Sequence, residues 1–288
     1  MSMTLSQVYR KAEMLLNENG VPDADVDTLC LLEHFFGADR TKLILHGDEN
    51  ADEKSCQKLF SAAEQRIKGV PLQYIIGKWN FMGYDFYVGE GVLIPRDDTE
   101  IAAEEACEFA LGIDRPKVID LCAGTGAIAI AVAKTAVNSE VTALEYSENA
   151  LNYLKKNIEL NQAYNVVPFA GDVTKCADSF NDGSFDLIVS NPPYIKSEQI
   201  DTLQRELQFE PRMALDGGKD GLFFYRVITE MWYKKLKSGG KLLYEVGEDQ
   251  CDEVCGILKK YGFENIAYRH DLHGYKRTVS GTFFKAES

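Results

Sequence analysis

Apolar residues in the first 75 positions recur at helical spacing. Leu5, Val8, Ala12, Leu15 and Leu16 share one face, and Gly20 can end that helix. The same pattern predicts helices over about 25–36, stopped by Gly37, over 41–45, and over about 52–68, stopped by Gly69. The character changes after Pro71. Trp79-Asn80-Phe81 and Tyr84-Asp85-Phe86-Tyr87-Val88 read as two strands joined near Met82-Gly83, and their aromatic residues, with Tyr74, read as hairpin packing. A helix then follows Ile94-Pro95-Arg96-Asp97-Asp98-Thr99-Glu100 and ends near Leu111. From Pro116 onward, short apolar runs alternate with longer amphipathic ones. Strands are predicted over 117–121, 140–144, 166–170, 185–190, 241–246, 263–269 and 277–284, and helices over 126–135, 147–161, 221–236 and 249–261. That alternation predicts an α/β domain with a mostly parallel, doubly wound sheet. The expected organisation is a helical domain over 1–74 that recruits substrate or packs, a β-hairpin linker over 75–95, and the α/β domain over 96–288.

Composition narrows the function classes. The formal charge is −14, and residues 1–75 hold 8 basic against 12 acidic side chains. Neither part is a basic module, so tight binding to a phosphate backbone is disfavoured. The seven cysteines form no CxxC, and Met1 to Gly20 is charged and amphipathic, unlike a secretory leader. Reduced thiols in a cytoplasmic protein are the expectation. The apolar run over 127–133 is too short to span a membrane. His270 and His273 form an HxxH without a visible third ligand, so no metal site is expected.

The chemistry concentrates at strand ends. Asn191-Pro192-Pro193-Tyr194 follows the apolar run 185–190. Its carboxamide, proline carbonyl and aromatic ring, on a backbone stiffened by two prolines, suit a planar NH2 group and point to methylation of nitrogen. Asp120-Leu121-Cys122-Ala123-Gly124-Thr125-Gly126 joins the first strand of the α/β domain to its first helix, and glycines at 124 and 126 let backbone approach a ligand closely. Glu145, 21 residues after Gly124, can take both hydroxyls of a ribose. Asp172 can accept from an adenine amino group. Gly124-x-Gly126-x-x-Ala129 also fits a dinucleotide fingerprint, and that segment alone leaves a nicotinamide or flavin enzyme open. Asp120 would crowd a pyrophosphate but suits the ammonium of a methionine moiety, and the proline motif has no evident use in hydride transfer. Both features favour S-adenosylmethionine (SAM).

With these residues in hand, the chain resembles the peptide chain release factor glutamine N5-methyltransferase family (PrmC/HemK) over nearly its whole length. Asn191-Pro192-Pro193-Tyr194 says only amino methyltransferase. Ile94-Pro95-Arg96-Asp97-Asp98-Thr99-Glu100 looks like the family's IPRxDTE segment, and Glu210-Pro211-Arg212-Met213-Ala214-Leu215-Asp216-Gly217-Gly218-Lys219-Asp220-Gly221-Leu222 is similar to its stretch after the catalytic motif. The resemblance implies a seven-stranded, Rossmann-like SAM-dependent methyltransferase domain behind a helical bundle. It also implies SAM as donor, with S-adenosylhomocysteine as product, and release factors as protein substrates, methylated on the glutamine of their Gly-Gly-Gln motif. The family's cofactor loop maps onto Cys122, Ala123, Gly124, Thr125 and Gly126, with Asp120 before it. Its ribose acid maps onto Glu145, its adenine-side residues onto Asp172 and Val173, and its catalytic and substrate-binding motif onto Asn191, Pro192, Pro193 and Tyr194, with Asn191 close to both ligands. The chain departs from the pattern at Cys122 (often glycine), Asp97 (often proline), Glu145 (often aspartate) and Val173 (sometimes aromatic). Arg96 and Glu100 are left between a role in the site and a pairing with each other or a helix cap. An adenine-N6 methyltransferase acting on nucleic acid, and a SAM-binding module without catalysis, remain as alternatives.

Overall fold

A computed structural model describes residues 3–285 of the chain. They fall into two compact units: the chain up to Gly77 together with Gln204–Phe209, and Lys78–Leu203 together with Glu210 onward.

The first unit holds α1 (Leu5–Glu18), α2 (Ala24–Phe36), α3 (Arg40–His46), α4 (Glu53–Ile67) and α5 (Leu72–Ile76). Thr4 and Gln7 cap α1 reciprocally, side chain to backbone, and Asp52 caps α4 by accepting from the Ser55 N–H. Leu5, Val8, Leu31, Leu32 and Leu59 make one buried cluster. The unit also buries a charge system. Arg66 Nε lies 2.7 Å from Asp27 Oδ2, and its Nη2 lies 2.6 Å from Glu206 Oε1. Burial raises the Asp27 pKa, and Arg66 pulls it back down. Arg205 Nη1 donates to the Ile67 carbonyl at 3.2 Å, so 204–209 is fastened to the C-terminal end of α4.

The second unit opens with the hairpin β1 (Lys78–Phe81) and β2 (Tyr84–Tyr87). Then come α6 (Thr99–Leu111), β3 (Lys117–Leu121), α7 (Ala127–Thr135), β4 (Glu140–Glu145), α8 (Glu148–Asn161), β5 (Val166–Ala170) and β6 (Phe185–Ser190). The chain closes with α9 (Phe223–Trp232), β7 (Leu236–Glu245), α10 (Cys251–Lys260), β8 (Phe263–His270) and β9 (Lys276–Phe283). The seven-stranded sheet has the order β5-β4-β3-β6-β7-β9-β8; the strands from β5 to β7 in that order run parallel, and β9 pairs antiparallel with both β7 and β8. Chain order reverses between β3 and β6, which places a ligand crevice at the carboxyl ends of those strands. All of Ala127 to Ala133 is buried, so α7 is apolar all round because it is covered all round. Asn157 of α8 staples the hairpin: its Oδ1 accepts from the Tyr87 N–H at 2.7 Å and its Nδ2 donates to the Tyr87 carbonyl at 3.1 Å. The same Nδ2 donates to the Thr125 carbonyl at 3.0 Å.

One predicted helix is longer than the observed one. The 221–236 helix stops at Trp232, gives a 3-10 turn over Tyr233–Lys235, and passes directly into β7. Leu236 already pairs with Phe185, and the register then jumps to Leu187 with Lys241, so Ser238-Gly239-Gly240 falls in a bulge against β6. Among the described residues, no helix is long and apolar enough to cross a membrane.

Replacing Arg66 by Ala strands the buried Asp27 carboxylate, and the expected cost is about 3–5 kcal/mol in urea unfolding. Asp27→Leu added to Arg66→Ala should recover much of it. An Arg66→Ala protein as stable as the parent would refute the pairing.

Candidate active site

Four neighbouring strand ends converge on one cavity of about 450 Å³, a volume in the range of small-molecule sites. Asp120, near the end of β3, is 1% exposed. Its Oδ2 accepts from the Ala129 N–H at 3.1 Å, in the first turn of α7. Its Oδ1 has no partner among the described residues, and burial pushes the Asp120 pKa up to about 8, with a smaller push from Glu145. The chain then turns through Cys122, which holds a left-handed φ of +64° despite carrying a side chain. Burial raises its thiol pKa. Gly126 closes the turn at φ +84°, where a Cβ would sit 2.4 Å from Leu154 Cδ1. Only glycine meets both conditions at that position.

Glu145 ends β4. Its Oε2 accepts from the Gly124 N–H at 2.8 Å and its Oε1 from the Ser147 N–H at 2.7 Å, so one carboxylate shapes both the glycine loop and the start of α8. Burial raises its pKa against the pull of these bonds. Asp172, beyond β5, accepts from the Thr174 N–H and hydroxyl and pairs with Lys175 Nζ at 2.7 Å, and these contacts, Lys175 first, lower its pKa. Val173 is buried, and its carbonyl accepts from Trp232 Nε1 at 2.9 Å.

Asn191 follows β6 and donates from Nδ2 to Thr99 Oγ1 at 3.2 Å. The Tyr194 carbonyl accepts from Gln250 Nε2 at 2.9 Å, its hydroxyl lies 3.5 Å from Glu245 Oε1, and burial raises its pKa. The strap after the motif is threaded against it. Gly217 N–H donates to the Ile195 carbonyl at 2.8 Å, and a Cβ on Gly217 would lie 2.7 Å from Tyr194 Cα.

The cavity wall brings together Asp120, Cys122, Ala123, Gly124, Thr125, Glu145, Asp172, Val173, Asn191 and Pro193. Gly126, Pro192 and Tyr194 do not line it. Arg96 and Glu100 do not pair with each other. Arg96 Nη2 pairs with Glu210 Oε1, whose other oxygen takes the Ile94 N–H at 3.0 Å, while Glu100 accepts from the Met82 N–H at 2.7 Å. Glu210 therefore ties wall residues 94–96 to its neighbour Pro211, which also lines the cavity. Sequence reading passed over Thr99, Glu210, Glu245 and Gln250 as site components. Glu245 carried a usable signal, an acid closing an apolar run as Glu145 does.

The donor set fits SAM. An acidic rim, with Glu145 and Asp172 beside the protonated Asp120, disfavours a pyrophosphate and suits a cation. The under-bonded Asp120 Oδ1 has capacity to accept from an ammonium, and Glu145 keeps lone pairs for hydroxyl donors. One N–H of the first turn of α7 is already taken by Asp120, an acid that stands against the phosphates of a dinucleotide there. Among the described residues no group of His, Cys, Asp and Glu is arranged to hold a metal ion.

Comparisons with known proteins agree with this architecture. Residues 7–77 match the family model described as PrmC N-terminal domain, and residues 109–219 the one described as Methyltransferase small domain. A protein of Clostridium acetobutylicum named release factor glutamine methyltransferase is 38% identical over 279 residues, covering 96% of this chain and 98% of the relative. Its namesake in Geobacter sulfurreducens is 38% identical over 279 residues, 96% of each chain. The solved hMettl16 catalytic domain in complex with MAT2A 3'UTR hairpin 6 superposes with a TM-score of 0.58 at 14% identity, over 82% of this chain and 84% of that one, a likeness of fold.

Asp120 gives the site a pH signature. It is protonated before binding below about pH 8 and ionised beside an ammonium, so binding releases a proton and tightens as pH rises. Between pH 6 and pH 7.5 the Kd for SAM should fall by up to roughly tenfold per pH unit. Calorimetry in buffers of different ionisation enthalpy reads both effects. Asp120→Asn should lose the slope and the proton release, and a flat Kd in the unaltered protein would exclude this role.

Proposed function

The chain belongs to the release factor glutamine methyltransferase family, and we infer from that premise that it methylates the side-chain amide nitrogen (N5) of the glutamine in the Gly-Gly-Gln motif of peptide chain release factors. The observation that carries the reading is the position of Asn191, at the end of β6, in the wall of the same cavity as Asp120 and Glu145. An amide-recognising side chain and a set of cation-attracting carboxylates thus share one space.

An amide nitrogen is a poor nucleophile because its lone pair is delocalised into the carbonyl. Asn191 Oδ1 and the Pro192 carbonyl are assigned to accept its two hydrogens, which favours pyramidalisation and aims the lone pair. Pro193, in the cavity wall, and Tyr194, next to it in the chain, keep the seat for the amide stiff. Asp120, the loop from Cys122 to Gly126, Glu145, Asp172 and Val173 hold the methyl donor. SAM supplies an electrophilic methyl on a sulfonium, so the C–S bond breaks as the C–N bond forms and S-adenosylhomocysteine leaves. The nitrogen's proton becomes acidic once the bond to carbon forms, and water can take it without a strong base. Each well-placed hydrogen bond in such a seat is worth roughly 3 kcal/mol of barrier, and in-line placement of nitrogen and methyl adds to it.

The helical domain, residues 1–74, is assigned to recruiting the release factor. The acidic charge of both parts of the chain argues against direct nucleic-acid binding, and a cytoplasmic location follows from a substrate that works on the ribosome.

Labelled SAM and a release factor test the acceptor. Label should enter the intact factor and be absent when its Gly-Gly-Gln glutamine is changed to alanine. Persistent label, or label in RNA or DNA with none in the factor, would overturn the reading. Asn191→Ala should keep SAM binding while lowering kcat at least about 100-fold, and an unchanged kcat would remove Asn191 from the mechanism.

A further inference from the structure

Among the described residues, Arg96 is the one cationic side chain in the cavity wall, which otherwise carries acids and apolar groups. A turn ties it to the end of the site that holds Asn191. The Thr99 N–H donates to the Arg96 carbonyl at 3.0 Å, and Thr99 Oγ1 accepts from Asn191 Nδ2 at 3.2 Å. The Arg96 guanidinium is anchored on a buried acid. Its Nη2 pairs with Glu210 Oε1, and the Glu210 side chain is 1% exposed. Glu210 Oε2 takes the Ile94 N–H at 3.0 Å, so the acid is itself held from the wall it supports.

Donors are left over. A guanidinium carries several N–H groups in a fixed planar fork and accepts nothing. Glu210 is bonded through Nη2 alone, and Nε and Nη1 have no acceptor among the described residues. The Arg96 side chain is 36% exposed and lines the cavity, so these donors are within reach of what enters it. Charge then decides the kind of ligand. Glu210 cancels the charge of Arg96, and a phosphate or carboxylate finds no uncompensated cation in this wall. A neutral acceptor, such as a carbonyl oxygen, suits the pair. The nearby wall residues Pro211, Met213 and Phe223 offer apolar surface and no competing side-chain donor.

Given the function inferred above, we propose that Arg96, oriented by Glu210, binds the backbone carbonyls of the glycine pair that precedes the acceptor glutamine. Those two residues have no side chains, so their peptide groups are all that a protein can recognise in them. A planar fork on their carbonyl oxygens fixes the direction in which the chain enters as well as its position. Asn191 then receives a glutamine already delivered in one orientation. A duplex or single strand of nucleic acid would instead bring phosphates to a cation that Glu210 has neutralised.

Steady-state kinetics with a release factor, and calorimetry with SAM alone, test this role against a mere brace between Arg96 and Glu210. Arg96→Met should raise the KM for the factor about 10–100-fold, with kcat changed far less and the Kd for SAM unchanged. Arg96→Lys keeps a charge for Glu210 but lacks the fork, and should retain most of the defect. Arg96→Met/Glu210→Met no longer buries an unpaired acid and should regain stability, yet its KM for the factor should stay high. Glu210→Gln can still accept from the Ile94 N–H but uncovers the arginine's charge. Inorganic phosphate should then compete with the factor, as it does not in the parent. A parent-like KM in Arg96→Met, a recovered KM in the double variant, or a Glu210→Gln protein as indifferent to phosphate as the parent would overturn the proposal while leaving the acceptor assignment intact. Failure of the parent to methylate the glutamine would instead remove the function on which it rests.

Discussion

The parallel pairing of β3 with β6, in register from Val118 with Leu187 to Leu121 with Ser190, is the constraint from which the site follows. These strands are far apart in sequence, and each carries its own chemistry past its carboxyl end: the loop from Cys122 to Gly126 beyond β3, and Asn191 to Tyr194 beyond β6. Their adjacency sets the glycine loop beside the Asn191 turn. The Ser190 hydroxyl donates to the Leu121 carbonyl at 2.6 Å, which ties the two ends together at the last residues before they part. Everything added around this seam holds it steady. Asn157 fixes the hairpin and the glycine loop at once, Trp232 fixes Val173, and Gln250 fixes the Tyr194 backbone.

The unsatisfied oxygens follow the same seam. Among the described residues, the two buried side-chain atoms without a hydrogen-bond partner are Asp120 Oδ1 and Glu245 Oε2. One lies on β3 and the other on β7, the two neighbours of β6. Burial raises both pKa values from the usual carboxylate range toward neutrality. A fold that satisfies its other buried side chains leaves these two open on either side of the strand that carries Asn191, so the cost of desolvation is concentrated where ligands and their protons arrive.

Much of this was legible in the sequence because it is local. Strands at 117–121, 166–170 and 185–190 coincide with β3, β5 and β6, since each is a compact apolar run between breakers. Asp120, Glu145 and Asn191 could be read as strand-end chemistry for the same reason. What escaped was set by partners distant in the chain. Glu245 looks like a strand-end acid until the β6–β7 register places it beside Asn191. Arg96 looks like a partner for Glu100, four residues on, until the strap brings Glu210 to it. The 221–236 helix is plausible by periodicity, yet Leu236 is claimed by Phe185, and tertiary pairing outweighs helical propensity there.

Cys122 brings a last consequence. It is a sulfur in the wall of a cavity built for an electrophilic methyl carrier, at a turn where its φ of +64° favours glycine. A thiolate in that place would compete with the substrate as a nucleophile and would be alkylated irreversibly. Burial, with Glu145, Asp120 and Asp172 around it, holds the group as a neutral thiol. The enclosure of the turn, more than the acids around it, therefore keeps the protein from becoming its own substrate, and tolerance of a cysteine there depends on that burial.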